Sequence, residues 1–419
     1  MSVTESPRSR ATAMPWPGLV ALAAAVFLSI TIELLPTGLL PEMGAGLAVP
    51  AALIGLTVSV FAFTVVLTST TLVAATSRMP RRGLLVAVLV VLGVSTALSA
   101  LATEYWMLIA ARVLGGLAHG VFWSIVAATA SRLVPERLIG RAVAVVLGGG
   151  TLAMILGVPA STILGQALGW RAAFAIVGGL TLLGALAVRL ALPRAEAGAA
   201  PTAARYRPGD PGFASVLLLC VVTAVTMLGQ YAVTTYVAPL VTDLIGLPAG
   251  AVGPLLFLSG VAGAVGLVAA GSPLARNATA AMLTALGVAA VALAVLGLAI
   301  TPVVSVAAFA VWGLAFGAIP PLLQTRLLRT APPTHRDAAS ALYTTAFNTG
   351  IGGGALVGSI VFGAFGVAAL PWGYAAVLVV AAVLVAVGAR SGRRGSPIGD
   401  ATPPAQPAGT STPTRPSTT

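Results

Sequence analysis

Charge is scarce in this sequence, and lysine is missing from it. Only 8% of the 419 residues are charged while 58% are hydrophobic, and all 22 basic residues are arginine. A water-soluble protein of this length needs several times as much charge to cover its surface. The composition therefore excludes a soluble globular protein and indicates a chain that is surrounded by lipid.

Cysteine and histidine are also scarce, which narrows the chemistry that the chain can perform. Cys220 is the single cysteine and lies in an apolar run, so an intramolecular disulfide is excluded and a metal cluster is not expected. The two histidines, His119 and His335, do not fall together with a nucleophile and an orienting group, as a hydrolytic site requires. We therefore expect no enzyme activity, no metal site and no cofactor.

Apolar runs of 18 or more residues recur along the whole chain, which is typical of membrane-spanning helices. They predict an all-α membrane protein of twelve transmembrane helices. The predicted spans cover residues 18–40, 52–75, 83–103, 106–129, 141–165, 170–192, 214–239, 250–270, 279–300, 303–325, 338–362 and 371–389.

Arginine is distributed unevenly between alternate loops. With twelve spans and both ends on one side, 20 of the 22 arginines fall on that side, and the exceptions are Arg112 and Arg171. Glu42, Glu104 and Asp243 fall in loops of the other side. Because arginine-rich loops face the cytoplasm, both termini are predicted to be cytoplasmic. The clustering also argues against a nucleic-acid partner, and the alanine-rich, lysine-free composition suggests the inner membrane of a bacterium.

Short segments recur at a constant offset of 197 or 198 residues. "VPAALIG" at 49–55 matches "LPAGAVG" at 247–253, and "GLAHG" at 116–120 matches "GLAFG" at 313–317. The repeat predicts two pseudo-symmetric six-helix bundles in parallel orientation, which is the construction of a transporter that rocks about a central site.

The repeat and the spans divide the chain into two bundles and three polar segments. The bundles are residues 16–192 and 214–390, joined by a cytoplasmic linker at 193–213. Residues 1–15 are predicted to be a cytoplasmic N-terminal tail, and the Pro/Ser/Thr-rich residues 391–419 a disordered cytoplasmic tail. Since one chain holds both halves of a pathway, we expect a monomer.

Glu33 lies inside the first predicted span, where an unpaired carboxylate costs about 2.5–3.5 kcal/mol to insert. At about 1.5 Å per residue, it lies about 10 Å from the outer end of its helix, and Arg112 lies about 9 Å deep in span 4. We therefore expect the two residues to lie together, with Pro36 bending span 1 beside them.

Three roles for Glu33 are compatible with this position. It can form a static ion pair with Arg112 that joins two helices. It can carry a proton, because a carboxyl group that alternates between water and protein surroundings can load and release one in each cycle. It can also bind a transported molecule directly. The sequence favours the proton carrier.

Span 4 presents one polar stripe. Arg112, Gly116, His119 and Trp123 are spaced by 4, 3 and 4 residues, so they share a helix face. His119 is either a packing residue or part of a proton relay that includes Glu33. Trp123 is a candidate contact for a small molecule, and Gly116 allows a neighbouring helix to approach closely.

In the second bundle, aromatic residues occupy the positions that hold ionisable residues in the first. The repeat aligns Glu33 with Tyr231, Arg112 with Phe309, and His119 with Phe316. We therefore expect the first bundle to handle protons and the second to offer an apolar, hydrogen-bonding wall. The candidate contacts for a small molecule there, each of which can equally join two helices, are Gln230, Tyr231, Thr234, Asn348 and Gln324.

Span 5 contains "GGGTLAMILGVP", a run of small residues that ends in proline. Gly149, Gly157 and Pro159 predict a helix that packs closely and can flex. We interpret this segment as a hinge and expect no contact with a small molecule from it.

These motifs together resemble those of the major facilitator superfamily, over roughly residues 16–390. "IELLPTGLLPEM" places Glu33 where the twelve-helix drug:proton antiporter branch has its acid, and "RVLGGLAHG" places Arg112 at the arginine of span 4. The Gly-x-Pro of span 5 and "GWRAAF" at 169–174 are similar to the antiporter motif and to the turn into span 6. Within that branch the chain resembles bacterial sugar-efflux and chloramphenicol-resistance exporters.

The resemblance implies a proton-coupled secondary transporter that exports a small, fairly apolar organic compound by alternating access. A sugar-efflux transporter of the same fold is the alternative, and a non-transporting membrane sensor is a more distant one. The expected partners are a small-molecule substrate and the lipid bilayer, and the coupling ion is a proton.

One motif departs from the family pattern. In the loop between spans 2 and 3 the family has Gly-x-x-x-Asp-Arg-x-Gly-Arg-Arg, whereas "VAATSRMPRR" has Ser77 at the aspartate position. The basic residues of the motif, Arg78, Arg81 and Arg82, are kept. In the second copy Ala275 replaces the aspartate. The resemblance assigns that aspartate to a cytoplasmic latch, so its loss predicts a weaker conformational bias.

Overall fold

The structure is a computed structural model that describes residues 14–76, 79–193, 206–272 and 277–394. These residues contain twelve helical segments that are long and apolar enough to cross a membrane, and no β-strand. The predicted all-α fold class is confirmed. The segments, numbered here from span 1 to span 12, are Trp16–Gly38, Ala51–Ser69, Arg81–Ala100, Tyr105–Arg132, Glu136–Leu168, Trp170–Ala191, Phe213–Thr234, Ala249–Ala270, Ala278–Leu298, Pro302–Thr330, Ala338–Phe365 and Ala369–Gly388.

Several spans are built from more than one helical element. The α-helices of the first bundle are Trp16–Leu34, Leu40–Leu47, Ala51–Thr76, Arg81–Ala100, Tyr105–Arg132, Ile139–Leu152, Val158–Leu168 and Trp170–Ala191. Those of the second bundle are Phe213–Thr234, Val237–Pro239, Val252–Ala270, Ala278–Leu298, Pro302–Thr330, Arg336–Phe365 and Ala369–Arg394. The shorter elements are 3-10 helices at Leu35–Gly38, Glu136–Leu138, Ala249–Ala251 and Pro333–His335, and π-helices at Ala153–Gly157 and Leu240–Leu244.

The two bundles pack their helices in the same pattern. In the first, span 1 contacts spans 5 and 6, span 2 contacts span 4, and span 3 contacts spans 4 and 6. In the second, span 7 contacts spans 11 and 12, span 8 contacts span 10, and span 9 contacts spans 10 and 12. Each of these pairs recurs six spans later, so the repeat in the sequence is also a repeat in the structure.

Glycine permits the closest of these equivalent contacts. A Cβ atom on Gly116 of span 4 would lie 2.9 Å from the main-chain oxygen of Phe61 and from the Thr64 Cβ in span 2. In span 10, a Cβ atom on Gly317 would meet the main chain of Gly263 in span 8. The predicted packing role of Gly116 therefore has a counterpart in the second bundle, although the glycine that meets span 8 most closely is one turn further along.

The bundles join at the end of the molecule that carries the loops after spans 1, 5, 7 and 11, which we call the closed end. Span 2 packs against span 11, and span 5 against span 8. The Tyr236 hydroxyl donates to the Ala52 carbonyl at 3.3 Å, and the Ser359 hydroxyl donates to the same oxygen at 2.9 Å. Gln166 Nε2 donates to the Ala249 carbonyl at 2.9 Å. Residues 14 and 394 lie at the opposite end, which we call the terminal end.

A small apolar cluster joins the bundles one or two turns deeper than these hydrogen bonds. It is formed by buried residues of spans 2 and 11, with two half-buried aromatic side chains packed against it. The buried members are Val58, Ala62, Ile351 and Ala355, and the aromatic ones are Tyr231 and Phe347. We call these six residues the central cluster.

The helix ends differ from the predicted boundaries in spans 1, 5, 7, 10 and 12. Span 5 begins at Glu136 instead of residue 141, and the α-helix of span 7 ends at Thr234 instead of residue 239. The α-helix of span 1 ends at Leu34 and continues as a 3-10 helix, because a proline follows two residues later. The helix of span 10 runs to Thr330, five residues beyond the predicted end. The last helix runs to Arg394, so the segment predicted to be a disordered tail begins as helix. The rest of that tail and residues 1–13 lie outside the described residues.

Candidate functional site

The break in span 1 leaves main-chain carbonyls without their helical partners. Pro36 has no N–H group, so the carbonyl of Ile32, four residues earlier, cannot receive the usual hydrogen bond. Arg112 Nη1 donates to that carbonyl at 3.0 Å, and its Nη2 donates to the main-chain carbonyl of Glu33 at 2.9 Å. The Thr37 hydroxyl donates to the Leu34 carbonyl at 2.7 Å. Arg112 Nη1 thus replaces the one donor that the proline lacks, and side chains supply further donors at the break.

Arg112 is held in this position by span 2 as well. Its Nε donates to the Thr57 carbonyl at 3.4 Å, and its guanidinium carbon lies 4.2 Å from the centre of the Phe61 ring. The side chain is buried, with 3% of its surface exposed. A cation at the C-terminal end of a helix is stabilised by the helix dipole and by the unpaired carbonyls there. Arg112 therefore caps the broken end of span 1.

The carboxylate of Glu33 contacts a different residue. Its Oε2 lies 3.6 Å from Nε2 of His119, and the Nδ1 of that ring lies 2.9 Å from the Ser29 hydroxyl. Glu33 and His119 are 7% and 3% exposed. The expected proximity of Glu33 and Arg112 is present, because Arg112 binds the main-chain carbonyl of Glu33, but the side-chain contact of the Glu33 carboxylate is with His119. The three side chains form a continuous polar row that we call the Glu33–His119–Ser29 chain.

Aromatic residues surround the middle of this chain. The Phe61 ring meets the His119 ring edge-on at 5.0 Å between centroids, and the Trp123 ring lies 6.1 Å away. The predicted stripe of span 4 is therefore a continuous surface from Arg112 to Trp123. The indole Nε1 of Trp123 is buried and has no hydrogen-bond partner in the described part of the chain, so it is a spare donor beside His119.

Tyr231 occupies the position of the second bundle that the repeat aligns with Glu33. It lies in the central cluster, packed against buried residues of spans 2 and 11. Of the two equivalent positions, one thus holds a buried acid and the other a phenol at the boundary between the bundles.

Gln230 and Thr234 belong to a network that joins helices of the second bundle. Gln230 Nε2 donates to the Thr234 hydroxyl at 2.9 Å, and its Oε1 accepts from Trp312 Nε1 at 3.0 Å. Gln230 is buried, and both polar atoms of its amide are occupied. Of the two roles that the sequence leaves open for these residues, the geometry favours the joining of spans 7 and 10.

Asn348 and Gln324 are less buried than Gln230. Asn348 is half-buried and donates from Nδ2 to the Thr344 carbonyl of its own helix at 3.0 Å. It lies three residues before Ile351 and seven before Ala355, so it shares their helix face and lies one turn nearer the terminal end. Gln324 is exposed on span 10.

Span 5 packs tightly against span 1 along its small residues. A Cβ atom on Gly149 would meet the main chain of Ala23, and one on Gly157 would meet the Thr31 side chain. Between them the helix widens into a π-turn at Ala153–Gly157, just before Pro159. The sequence predicts close packing and an irregular helix here but does not reveal the π-turn.

The loop motif between spans 2 and 3 is only partly described. Arg78 and Ser77 lie outside the described residues. Arg81 begins the helix of span 3 and is 8% exposed, and Arg82 beside it is half-buried. The predicted loss of a latch therefore stays a prediction.

Sequence reasoning missed Ser29 and a contact of the linker. Ser29 precedes Glu33 by one helical turn, and this spacing could have identified it. In the linker, Asp210 Oδ2 lies 3.7 Å from His335 Nε2, and the Tyr206 ring stacks on the His335 ring at 4.8 Å. Burial and then the negative charge of Asp210 raise the pKa of the Tyr206 phenol. The linker is thus docked on the loop before span 11.

No group of three or more metal-ligating side chains is present among the described residues. The site is therefore built from one acid, one imidazole, one guanidinium that caps a helix, and neutral hydrogen-bonding or aromatic groups. Such a set can bind and move a proton and can bind an organic molecule.

Comparison with known proteins gives consistent matches. The family model described as the Major Facilitator Superfamily matches residues 22–355. Two chloramphenicol efflux pumps of Mycobacterium tuberculosis, from strains CDC 1551 / Oshkosh and ATCC 25618 / H37Rv, are each 34% identical over 371 and 372 residues. The matches cover 84% of this chain and 89% of each relative.

Solved structures show the same fold at low sequence identity. A bacterial homolog of the human lysosomal transporter Spinster, in an inward-facing and occupied conformation, superposes with a TM-score of 0.71 at 16% identity, over 89% of this chain and 96% of that one. The POT family transporter PepTSo has a TM-score of 0.75 at 12% identity, over 92% of this chain and 99% of that one.

Proposed function

From the premise that this chain belongs to the major facilitator superfamily, we propose that it exports a small, fairly apolar organic compound in exchange for protons. The chain is a multi-pass membrane transporter and not an enzyme. Its relatives of 34% identity are chloramphenicol efflux pumps, so a drug of similar size and polarity is the first substrate to test.

The observation that carries proton coupling is the contact that Glu33 makes. Arg112 donates to three main-chain carbonyls, and the carboxylate of Glu33 faces the imidazole of His119. A carboxylate locked against a guanidinium is a poor proton carrier, whereas one beside a second titratable group can pass its proton on. This geometry supports the proton carrier over the static ion pair.

The proposed cycle follows from the order of the groups along span 1. A proton reaches Glu33 while the closed end is open, and the bundles then rock into the arrangement described here. The proton passes to His119, and Ser29, one turn nearer the terminal end, holds the ring and extends the path toward that end. Each proton that moves inward down about 100 mV supplies about 2.3 kcal/mol for export.

The binding surface proposed for the compound lies between the bundles, on the terminal side of the central cluster. Trp123 supplies an aromatic face and an indole N–H, and Tyr231 and Asn348 supply neutral polar groups from the second bundle. In this proposal the terminal end faces the cytoplasm of a bacterium, and a single chain is the working unit.

The test separates binding, exchange and coupled export in Glu33→Gln. Purified protein in liposomes is assayed with chloramphenicol for binding, for exchange between labelled and unlabelled compound, and for uptake driven by a pH gradient. We expect binding and exchange to remain within about threefold of wild type while gradient-driven uptake falls by about 100-fold, which corresponds to about 2.7 kcal/mol.

Glu104→Gln is the matched control, because Glu104 is an exposed carboxylate at the closed end that makes no side-chain cap. It should behave as wild type in all three assays. Undiminished gradient-driven uptake in Glu33→Gln would overturn the coupling role, and equal loss of binding would assign Glu33 to the compound instead.

A further inference from the structure

Acidic side chains are nearly absent from the path of a compound through the molecule. The chain has 10 aspartate and glutamate residues in all. Among the described acidic side chains, Glu33 is the one in the interior of a span, since Glu136 begins span 5 and Asp243 follows span 7. An organic cation that enters between the bundles therefore has one carboxylate to pair with.

That carboxylate is poorly placed to bind a cation. Glu33 is 7% exposed and contacts His119. The guanidinium of Arg112 is fixed by three hydrogen bonds to main-chain carbonyls, those of Ile32 and Glu33 in span 1 and that of Thr57 in span 2. A bound organic cation would lie close to this immobile positive charge in a region of low dielectric, where like charges repel strongly.

The wall contributed by the second bundle is neutral. Tyr231 and Phe316, both half-buried, occupy the positions equivalent to Glu33 and His119, while Phe309, equivalent to Arg112, is buried against Trp312. Asn348, one turn from the central cluster and on its face of span 11, contributes an amide. Neutral polar and aromatic groups can bind an uncharged compound without the cost of removing a charge from water.

The approach from the terminal end is positive. Arginines cluster at this end, whereas the described acidic side chains there are Glu136 and Asp210, and Asp210 is paired with His335. Arg326, half-buried on span 10, has a buried Nη1 with no hydrogen-bond partner in the described residues. A rim of one sign repels solutes of that sign.

As a deepening of the proposed function, on which it rests, we propose that the transporter selects uncharged aromatic compounds against organic cations of the same shape. We further propose that Asn348 is the position in the second bundle that sets this choice. The spare N–H of Trp123 adds a preference for a compound with a hydrogen-bond acceptor.

The test uses two isosteric probes, N-(3,3-dimethylbutyl)-4-nitrobenzamide and its trimethylammonium analogue, N-[2-(trimethylammonio)ethyl]-4-nitrobenzamide. Binding to the purified full-length protein is measured for both at low and high salt. We expect the neutral probe to bind at least about 10-fold more tightly, with the difference shrinking at high salt as the rim is screened. Equal affinities of the wild type for the two probes would overturn the proposal.

A charge-adding variant turns the same measurement into a gain of function. In Asn348→Asp the affinity for the cationic probe should rise about 10-fold and that for the neutral probe should fall. Asn277→Asp is the matched control, because Asn277 caps span 9 at the terminal end with its side-chain oxygen, and aspartate caps equally well. It adds the same charge away from the central face and should leave the preference unchanged.

The outcomes distinguish the proposed charge selection from proton-coupled export, the proposal on which it rests. A wild-type preference for the neutral probe without pH-driven transport of it would refute proton-coupled export and keep the charge selection. If Asn348→Asp folds, as judged by its chemical unfolding in micelles, and gains nothing for the cation, then Asn348 is not the selecting position. An equal gain in Asn277→Asp would assign the effect to the rim alone.

Discussion

The two bundles share one packing pattern and differ in what they bury. The same helix pairs meet in each, yet the first buries Glu33, Arg112 and His119 where the second has aromatic side chains. The ionisable groups are therefore not needed to build the bundle. Buried charge is costly in a membrane, and the second bundle forms without these three ionisable residues. In the first bundle Arg112 caps the broken end of span 1, and for Glu33 and His119 we propose the role in proton transfer.

The second bundle has its own polar core, and that core is neutral. Gln230 links Trp312 to Thr234, and the buried hydroxyls of Thr226 and Tyr374 have no hydrogen-bond partner among the described residues. Neutral hydrogen bonds join helices at a modest free-energy gain and do not respond to pH. The comparison thus separates a bundle that buries titratable side chains from one whose described core polar groups are neutral.

The largest expected effect comes from removing the guanidinium of Arg112, which caps span 1 in the first bundle. Arg112→Met should lower the free energy of unfolding by about 3–5 kcal/mol, because it leaves buried carbonyls unpaired. Phe309→Met, at the equivalent position of the second bundle, should cost less than about 1.5 kcal/mol. Chemical unfolding of the purified proteins in micelles measures both.

Pro36→Ala tests whether Arg112 replaces the hydrogen-bond donor that proline lacks. The alanine N–H can bond the Ile32 carbonyl, so the double variant Arg112→Met/Pro36→Ala should recover about 1–2 kcal/mol. A double variant as unstable as the single one would show that Arg112 does not substitute for the donor that proline removes.

The next largest effect is expected from substitutions at Glu33 and at Tyr231, its equivalent in the second bundle. Glu33→Gln should reduce gradient-driven uptake about 100-fold, and Tyr231→Phe should stay within about threefold of wild type. Adding Tyr231→Glu to Glu33→Gln should not restore uptake, because Phe316 stands where an imidazole is needed. Restored uptake would mean that the bundles are interchangeable in proton handling.

A smaller effect is expected from the neutral network. Gln230→Leu should cost about 1–2 kcal/mol of unfolding free energy because Trp312 Nε1 loses its acceptor. Gradient-driven uptake per folded molecule should be unchanged. Unfolding and uptake measured on the same preparation check both, and a selective loss of uptake would move Gln230 into the transport site.

The smallest effect is expected at the end of the proton path. Ser29→Ala removes the hydroxyl on His119 Nδ1 and should slow gradient-driven uptake about threefold without changing exchange of the bound compound. Thr31→Ser is the control on the same helix, because its hydroxyl can keep the bond to the Phe27 carbonyl. Equal slowing of uptake and exchange in Ser29→Ala would indicate a packing role.

Much of the fold was predictable because lipid imposes a simple rule on the sequence. Apolar length gives the spans, and the repeat gives the equivalent positions of the two bundles. The proximity of Glu33 and Arg112 followed from their matching depths. Depth does not specify which oxygen a guanidinium binds, so the main-chain contact was not predictable from depth alone, although Pro36 marks the Ile32 carbonyl as unpaired.

Contacts across distant helices were the least predictable part of the site. The bond between Trp312 and Gln230 joins residues 82 positions apart, and nothing in their local sequence indicates the rotation of either helix. The docking of His335 on Asp210 depends on loop conformations in the same way. Hydropathy places a residue at a depth, and side-chain packing then decides what it contacts.

Because of the π-turn, the exact number of residues in span 5 decides which way each half of the helix faces. A π-turn holds one more residue than an α-helical turn. The side chains that follow it are therefore rotated by about 100° about the helix axis. Ile139–Leu152 packs on span 1 of its own bundle, while Val158–Leu168 packs on span 8 of the other. Deleting exposed Met154 would rotate one of these faces away from its partner, so this one-residue insertion keeps a single helix in register with both bundles at once.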